Sequence, residues 1–235
     1  DEVARVQKAL RLPVDDWHYY VSSYDGEIRW VDDRIAELLQ ALAERGLDSS
    51  TLIVVTSDHG EAFLEHGYWD HGETLHEEQT HVPLIVAGPG LAPRTIERVV
   101  SSVDVFPTLL ELAAIPASPS DGESLRPLLD DDPQRRYGRV VAVAEASRRR
   151  RKMLRSARDE RRKLLLTNME PVALFDLVRD PRETTDLLAT APAPAETLRA
   201  ALVGQLAARP IAPRAREATV DPDLDERLRA LGYVE

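Results

Sequence analysis

From Tyr24 to Arg45 the apolar residues Ile28, Val31, Ile35, Leu38 or Leu39, and Leu42 recur every three to four positions, the spacing of an amphipathic helix that lays one face on a sheet. Gly46 supplies its stop. A β-branched run, Leu52-Ile-Val-Val-Thr-Ser57, follows and breaks off at Asp58-His59-Gly60. Such a run predicts a buried strand, and its end delivers a carboxylate and an imidazole to the carboxyl edge of the sheet, where α/β proteins build their sites. A second apolar run, Pro83-Leu-Ile-Val-Ala-Gly88, ends in the turn residues Gly88-Pro-Gly90. Helix then strand, repeated, predicts a mainly parallel α/β sheet with flanking helices.

Beyond these runs, Asp104-Val-Phe-Pro-Thr-Leu-Leu-Glu-Leu-Ala-Ala reads as a helix with Asp104 near its N-cap and Pro107 in its first turn, closed by Pro116. Pro, Ser and Asp then crowd the stretch up to Arg136, which marks a subdomain boundary. Short strands are predicted at 139–145, 163–167 and 172–177, close enough in sequence for an antiparallel sheet. Helical patterns follow at 196–208 and 223–231. The chain thus divides into 1–118, an α/β part; 119–209, a small α+β subdomain; and 210–235, a connector with a tail helix. No internal repeat is present.

Composition narrows the chemistry. Hydrophobic residues make up 43% of the 235, which is globular, and no stretch reaches the roughly 20 consecutive apolar residues of a membrane span. The formal charge of −11 argues against nucleic acid as a general partner. The ten basic residues between Arg148 and Lys163, opposed only by Asp159 and Glu160, are read as solvated surface, the other reading being a local patch for a polyanionic ligand. Zero cysteines exclude thiolate ligands and a cysteine nucleophile within these residues, so any metal must use His, Asp or Glu. The opening residues, Asp1-Glu-Val-Ala-Arg, carry neither an initiator Met nor a signal-peptide core, and are expected to lie inside a longer protein.

Five of the six histidines, His59, His66, His71, His76 and His81, fall within 23 residues. The segment His76-Glu-Glu-Gln-Thr-His81 superficially resembles HExxH, but its histidines are five apart, about 140° around a helix, so they share no helical face. His66, His71, His76 and His81 share that spacing of five, which fits neither a helix face nor one side of a strand. A loop can fold two or three of them over the strand end; the rest are surface or packing residues. Asp58 and His59 together suit a hard or borderline divalent ion. Two ligands do not complete a site.

These residues resemble a known family. Leu52-Ile-Val-Val-Thr-Ser-Asp-His-Gly-Glu61, Glu65-His-Gly-Tyr-Trp-Asp-His71 and His76-Glu-Glu-Gln-Thr-His-Val-Pro-Leu-Ile-Val86 closely resemble a block of the sulfatases, in the alkaline-phosphatase-like superfamily. Tyr24-Asp-Gly-Glu-Ile with Val31-Asp32, Val103-Asp-Val-Phe-Pro-Thr-Leu-Leu110, Leu174-Phe-Asp-Leu with Asp180-Pro-Arg-Glu183 and Asp186-Leu187, and Leu228-Arg-Ala-Leu-Gly-Tyr233 resemble further blocks in the family's order. The resemblance implies the C-terminal half of a sulfatase: part of the alkaline-phosphatase-like sandwich plus its α+β subdomain.

By position, the resemblance gives Asp58 and His59 as two ligands of one divalent ion, Ca²⁺ by family habit, with Mn²⁺ or Zn²⁺ suited to an Asp-His pair. His71 stands where many sulfatases place a lysine on the substrate's anionic group, with His66 a further substrate-side residue. An imidazolium can bind an anion there and a neutral ring can exchange a proton near neutral pH. The family's remaining ligands and its formylglycine nucleophile, made from a Cys-x-Pro-Ser-Arg motif, have no counterpart in these residues, so the chain alone is expected to be inactive. The expected substrate is an anionic sulfate ester. A phosphate or phosphonate ester is the alternative, and a non-catalytic binding remnant is a third reading. Family habit points to periplasm or exterior, while nothing in the residues fixes localisation or oligomeric state.

Overall fold

The computed structural model describes residues 17–130, 134, 136–148 and 152–208. Helix α1 spans Trp17–Glu44 and stops as expected. Gly46 adopts φ +65°, its N–H bonds Ala43 O at 2.9 Å and the Leu47 N–H bonds Leu42 O at 2.9 Å, a left-handed glycine closure. The apolar stripe departs from expectation, because Ile28, Val31 and Leu38 are exposed. Instead of lying on a sheet, α1 touches the histidine loop through edge-on ring contacts, Tyr20 with Trp69 at 5.1 Å and Tyr24 with Phe63 at 5.2 Å between centroids. The sheet available is too small to cover it: strands of four residues reach about 13 Å, whereas the helix runs about 42 Å.

That sheet pairs β1 (Ile53–Thr56) with β4 (Leu84–Ala87), Ile53 opposite Ala87 and Thr56 opposite Leu84, antiparallel. The expected parallel pairing is therefore corrected, and every strand pairing among the described residues is antiparallel. A parallel pair needs a crossover that carries the chain back along the sheet, usually a helix. The connection here holds only a hairpin, β2 (Ala62–Phe63) with β3 (Trp69–Asp70), and one helical turn, α2 (Glu77–Thr80).

The helix predicted after Asp104 is α3 (Val105–Leu112), entered through a 3₁₀ turn at Ser102–Asp104. Asp104 stands at the N-cap position of α3 as expected, but its side chain makes no cap bond to that helix. It closes a capping box with Ser101, is fully buried, and accepts hydrogen bonds from Glu123 N at 2.8 Å, Tyr137 Oη at 2.5 Å and both Nε and Nη2 of Arg139. A buried carboxylate is stable only when paired in this way, and here it ties α3 to the segment that leads into the second sheet.

After the short helix α4 (Arg126–Asp130), strands β5 (Ala142–Arg148), β6 (Lys152–Arg158), β7 (Arg162–Thr167) and β8 (Glu170–Asp176) form an antiparallel meander in that order. Helix α5 (Pro192–Ala208) covers one face, where Val141, Ala157, Leu164, Leu166, Leu174, Leu198 and Leu202 form the main core. Strand alternation turns Lys163 and Leu165 to the opposite face, where Leu165 joins Phe175 and Leu75 of the histidine loop. β6 and the start of β7 occupy the basic run read as solvated. Among its described cations several are instead paired: Arg155 with Glu145, Arg158 with Glu77, Arg161 with Asp176. Lys163 is fully buried, its Nζ 3.0 Å from Glu77 Oε1, 3.0 Å from Thr80 Oγ1 and 3.3 Å from Glu183 Oε1. The predicted tail helix at 223–231 lies outside the described residues.

Candidate active site

β1 ends at Thr56, and the next two turns of chain are fixed by local hydrogen bonds. Ser57 Oγ donates to His59 O at 2.6 Å, and the His59 N–H donates to Asp58 Oδ1 at 2.9 Å. The Asp58 carboxylate is 83% exposed and the His59 ring 42%. The His59 peptide N–H, followed by the ring's charge, holds the Asp58 carboxyl below its ordinary value, so it is an ionised oxygen donor. His59 Nδ1 lies 2.8 Å from Gly60 O. A carbonyl only accepts, so Nδ1 carries a proton, and in the neutral ring it is the Nε2 lone pair that is left for a metal, the arrangement that prepares a metal-binding imidazole. Nε2 is 3.7 Å from Asp58 Oδ2, within the roughly 3–3.7 Å expected between two donors of one ion bound at about 2.0–2.4 Å. The pair therefore fits a divalent cation, as two ligands of a larger set.

His71 reaches the same place from the hairpin. Its ring packs against His59 at 4.0 Å between centroids, tilted by 30°. Its Nδ1 lies 2.8 Å from Asp70 Oδ1 and 3.4 Å from Glu61 Oε2. Carboxylates on the Nδ1 side assign the proton there and leave Nε2 for a ligand. Asp58, His59 and His71 line one cleft of about 1390 Å³, together with Gln79, Arg98 and Arg158.

His66 is not brought to that cleft. Its Nδ1 is 2.9 Å from Glu78 Oε1 and its Nε2 is 3.0 Å from Arg182 O, so both nitrogens are committed, one of them to the C-terminal subdomain. Because both partners are acceptors, only the doubly protonated ring satisfies them. Burial opposes that charge, but the hydrogen bond and charge of Glu78, with Glu183 and the Arg182 carbonyl, raise the pKa above its ordinary value. His76 stacks on His66 at 3.7 Å and 5° and stays neutral: burial, then the charges of His66 and Lys163, lower its pKa to about 3.

His66, His76 and Glu78 have the composition of a metal site, with donor atoms within 4.8 Å of one another. The parallel stack argues against one, since in-plane lone pairs of two rings 3.7 Å apart do not converge on one ion. His76 and His81 flank the single turn of α2, as the rejection of HExxH requires. Sequence reasoning missed Glu61, Gln79 and the Lys163–Glu77–Glu183 cluster. Only Lys163 carried a signal, as a cation at an apolar-facing strand position.

An Asp-His pair at the carboxyl end of a sheet strand, with a second imidazole tilted against the first, defines a candidate divalent-metal site on an α/β scaffold. The Sulfatase family model matches residues 3–115 and the model of the N-sulphoglucosamine sulphohydrolase C-terminal region matches residues 64–209; the chain belongs to the sulfatase family. It is 34% identical over 169 residues to choline-sulfatase of Rhizobium meliloti, covering 70% of this chain and 32% of that one. Among solved structures it resembles a 2-O GAG sulfatase, with TM-score 0.74 and 25% identity over 94% of this chain and 50% of that one. It also resembles the phosphonate monoester hydrolase of Agrobacterium radiobacter, with TM-score 0.72 and 28% identity over 83% and 42%. These neighbours confirm a partial alkaline-phosphatase-like α/β fold. The chain spans at most about a third of the length of the curated relatives it matches.

Proposed function

We propose that these residues form one wall of the active site of a metal-dependent sulfuric-ester hydrolase. The observation that carries this reading is the convergence of Asp58, His59 and His71 on one cleft, with the rings of His59 and His71 4.0 Å apart, in a chain of the sulfatase family. Asp58, kept ionised, and His59, with Nε2 bare, hold one divalent ion. Ca²⁺ is the family's choice, and an imidazole ligand also accommodates Mn²⁺ or Zn²⁺. Such an ion, when bound, supplies Lewis-acid charge to an ester oxygen.

His71, oriented by Asp70 and Glu61, presents Nε2 to the anionic ester: protonated, it donates a hydrogen bond to a sulfuryl or leaving-group oxygen. The Cys-x-Pro-Ser-Arg motif that the family converts to formylglycine, or a serine counterpart of it, is not found within these residues. The nucleophile and the remaining ligands therefore belong to polypeptide outside this sequence, and the 235 residues alone do not turn over ester. Among the described residues no helix is long and apolar enough to cross a membrane.

The test is hydrolysis of an aryl sulfate by the full-length protein and by this chain alone. Turnover by the former, abolished by Asp58→Ala with His59→Ala, supports the reading; turnover by the isolated chain above a metal-only control contradicts it. A second reading, a phosphonate or phosphate monoester hydrolase, draws on the Asp-His pair and on the likeness to the Agrobacterium enzyme. An aryl phosphonate monoester assayed in parallel decides between them by the ratio of kcat/KM values.

A further inference from the structure

The two segments that carry His59 and His71 come from different hairpin arms, and one residue binds both. Gly60, next to His59, donates its N–H to Gln79 O at 2.9 Å. Gly72, next to His71, donates its N–H to Gln79 Oε1 at 3.0 Å. Gln79 is only 5% exposed, and its Nε2 is buried without a partner among the described residues, a cost of the kind that persists where a side chain is held for another purpose. The approach is close: a Cβ added to Gly60 would lie 2.0 Å from Glu78 O. Gly72 sits at φ +78°, a left-handed conformation that glycine adopts without strain.

We propose that Gln79 is the positioning residue of the candidate site, fixing His59 and His71 against each other through the two adjacent glycine amides. The inference rests on the reading of those two histidines as site residues. α2 is itself anchored to the C-terminal sheet, through Lys163 to Glu77 and Thr80 and through Glu183 Oε2, which accepts the Glu77 N–H at 2.6 Å. The second sheet thereby sets the position of a turn that holds two site residues without touching either ring. Gln79 does not meet substrate in this account; it sets where the two imidazoles stand.

The test compares Gln79→Met, which keeps length and removes the acceptor, with Gln79→Glu, in which a carboxyl keeps an acceptor oxygen in either protonation state. Amide exchange at Gly72 and the nuclear Overhauser contact between the His59 and His71 rings are read on the 235-residue chain, with thermal melts alongside. Gln79→Met is expected to lower Gly72 protection by about 5-fold or more and to lose the ring contact, and Gln79→Glu to restore both. Unchanged protection and ring contact in Gln79→Met, or failure of Gln79→Glu to restore them, overturns the proposal. If Gln79→Met does not fold, the wild type and Gln79→Glu decide: a protected Gly72 amide in both supports it, and exchange at the unstructured rate in either refutes it. Neither readout involves a metal or an ester, so the outcome is independent of whether the protein is a sulfatase.

Discussion

Replacing Lys163 by Met removes the one cation within ion-pair distance of the Glu183 carboxylate among the described residues. Lys163 and Glu183 have side chains 1% and 0% exposed, 3.3 Å apart. Glu77 would keep Arg158 at 3.4 Å, whereas Glu183 would keep only the Glu77 N–H. Breaking a buried pair from one side costs about 3–5 kcal/mol, and the surviving hydrogen bond puts the expectation at the lower end, about 3 kcal/mol. For a chain of this size that is a fall in Tm of roughly 6–12 °C.

pH supplies an internal check on the same pair. Burial pushes the Glu183 carboxyl above its ordinary value, with Lys163 opposing. A carboxyl with a raised folded pKa costs stability above that pKa and is relieved as pH falls through it. Losing Lys163 enlarges the cost, so the gap between wild type and Lys163→Met should narrow as pH falls from neutrality through the raised Glu183 pKa. Urea unfolding over that range measures it. Adding Glu183→Gln to Lys163→Met should recover much of the loss, since it is the orphaned Glu183 charge that destabilises. A loss below about 1 kcal/mol, or no recovery in the double variant, refutes the assignment.

His66 gives a second pH test. Its pKa is raised on folding, so its contribution is complete below about pH 6.5 and disappears as pH rises through the folded value. The stability gap between wild type and His66→Gln should therefore close on alkalinisation, and a gap that is constant or widens contradicts the doubly donating ring. Gly60→Ala places a Cβ against Glu78 O, backbone that cannot swing away, and should cost about 1–3 kcal/mol while weakening metal binding. Metal affinity equal to wild type, by titration calorimetry, would count against Gly60 as the packing point beneath the site.

The strand ending at Asp58-His59 was legible because a β-branched run that stops at a charged pair leaves few alternatives, and the i, i+5 spacing by itself excludes HExxH. Other features depend on what the chain meets in space. β1 and β4 read alike whether paired parallel or antiparallel, since direction is set by the path between them. β6, Lys152-Met-Leu-Arg-Ser-Ala-Arg158, hid in a basic run because the carboxylates that pair with it, Glu145 across the hairpin and Glu77 from the histidine loop, are brought to it only by the fold. α1 has a helical stripe that the described sheet does not cover. Gln79 carried no signal, because its role consists of two glycine amides that only the fold brings together.

The central claim is tested most directly by locating the metal. Crystals of the full-length protein loaded with Mn²⁺ should show an anomalous peak within about 2.0–2.4 Å of both an Asp58 carboxylate oxygen and His59 Nε2. An ion bound elsewhere, for instance among His66, His76 and Glu78, with Asp58 and His59 uncoordinated, would contradict the account.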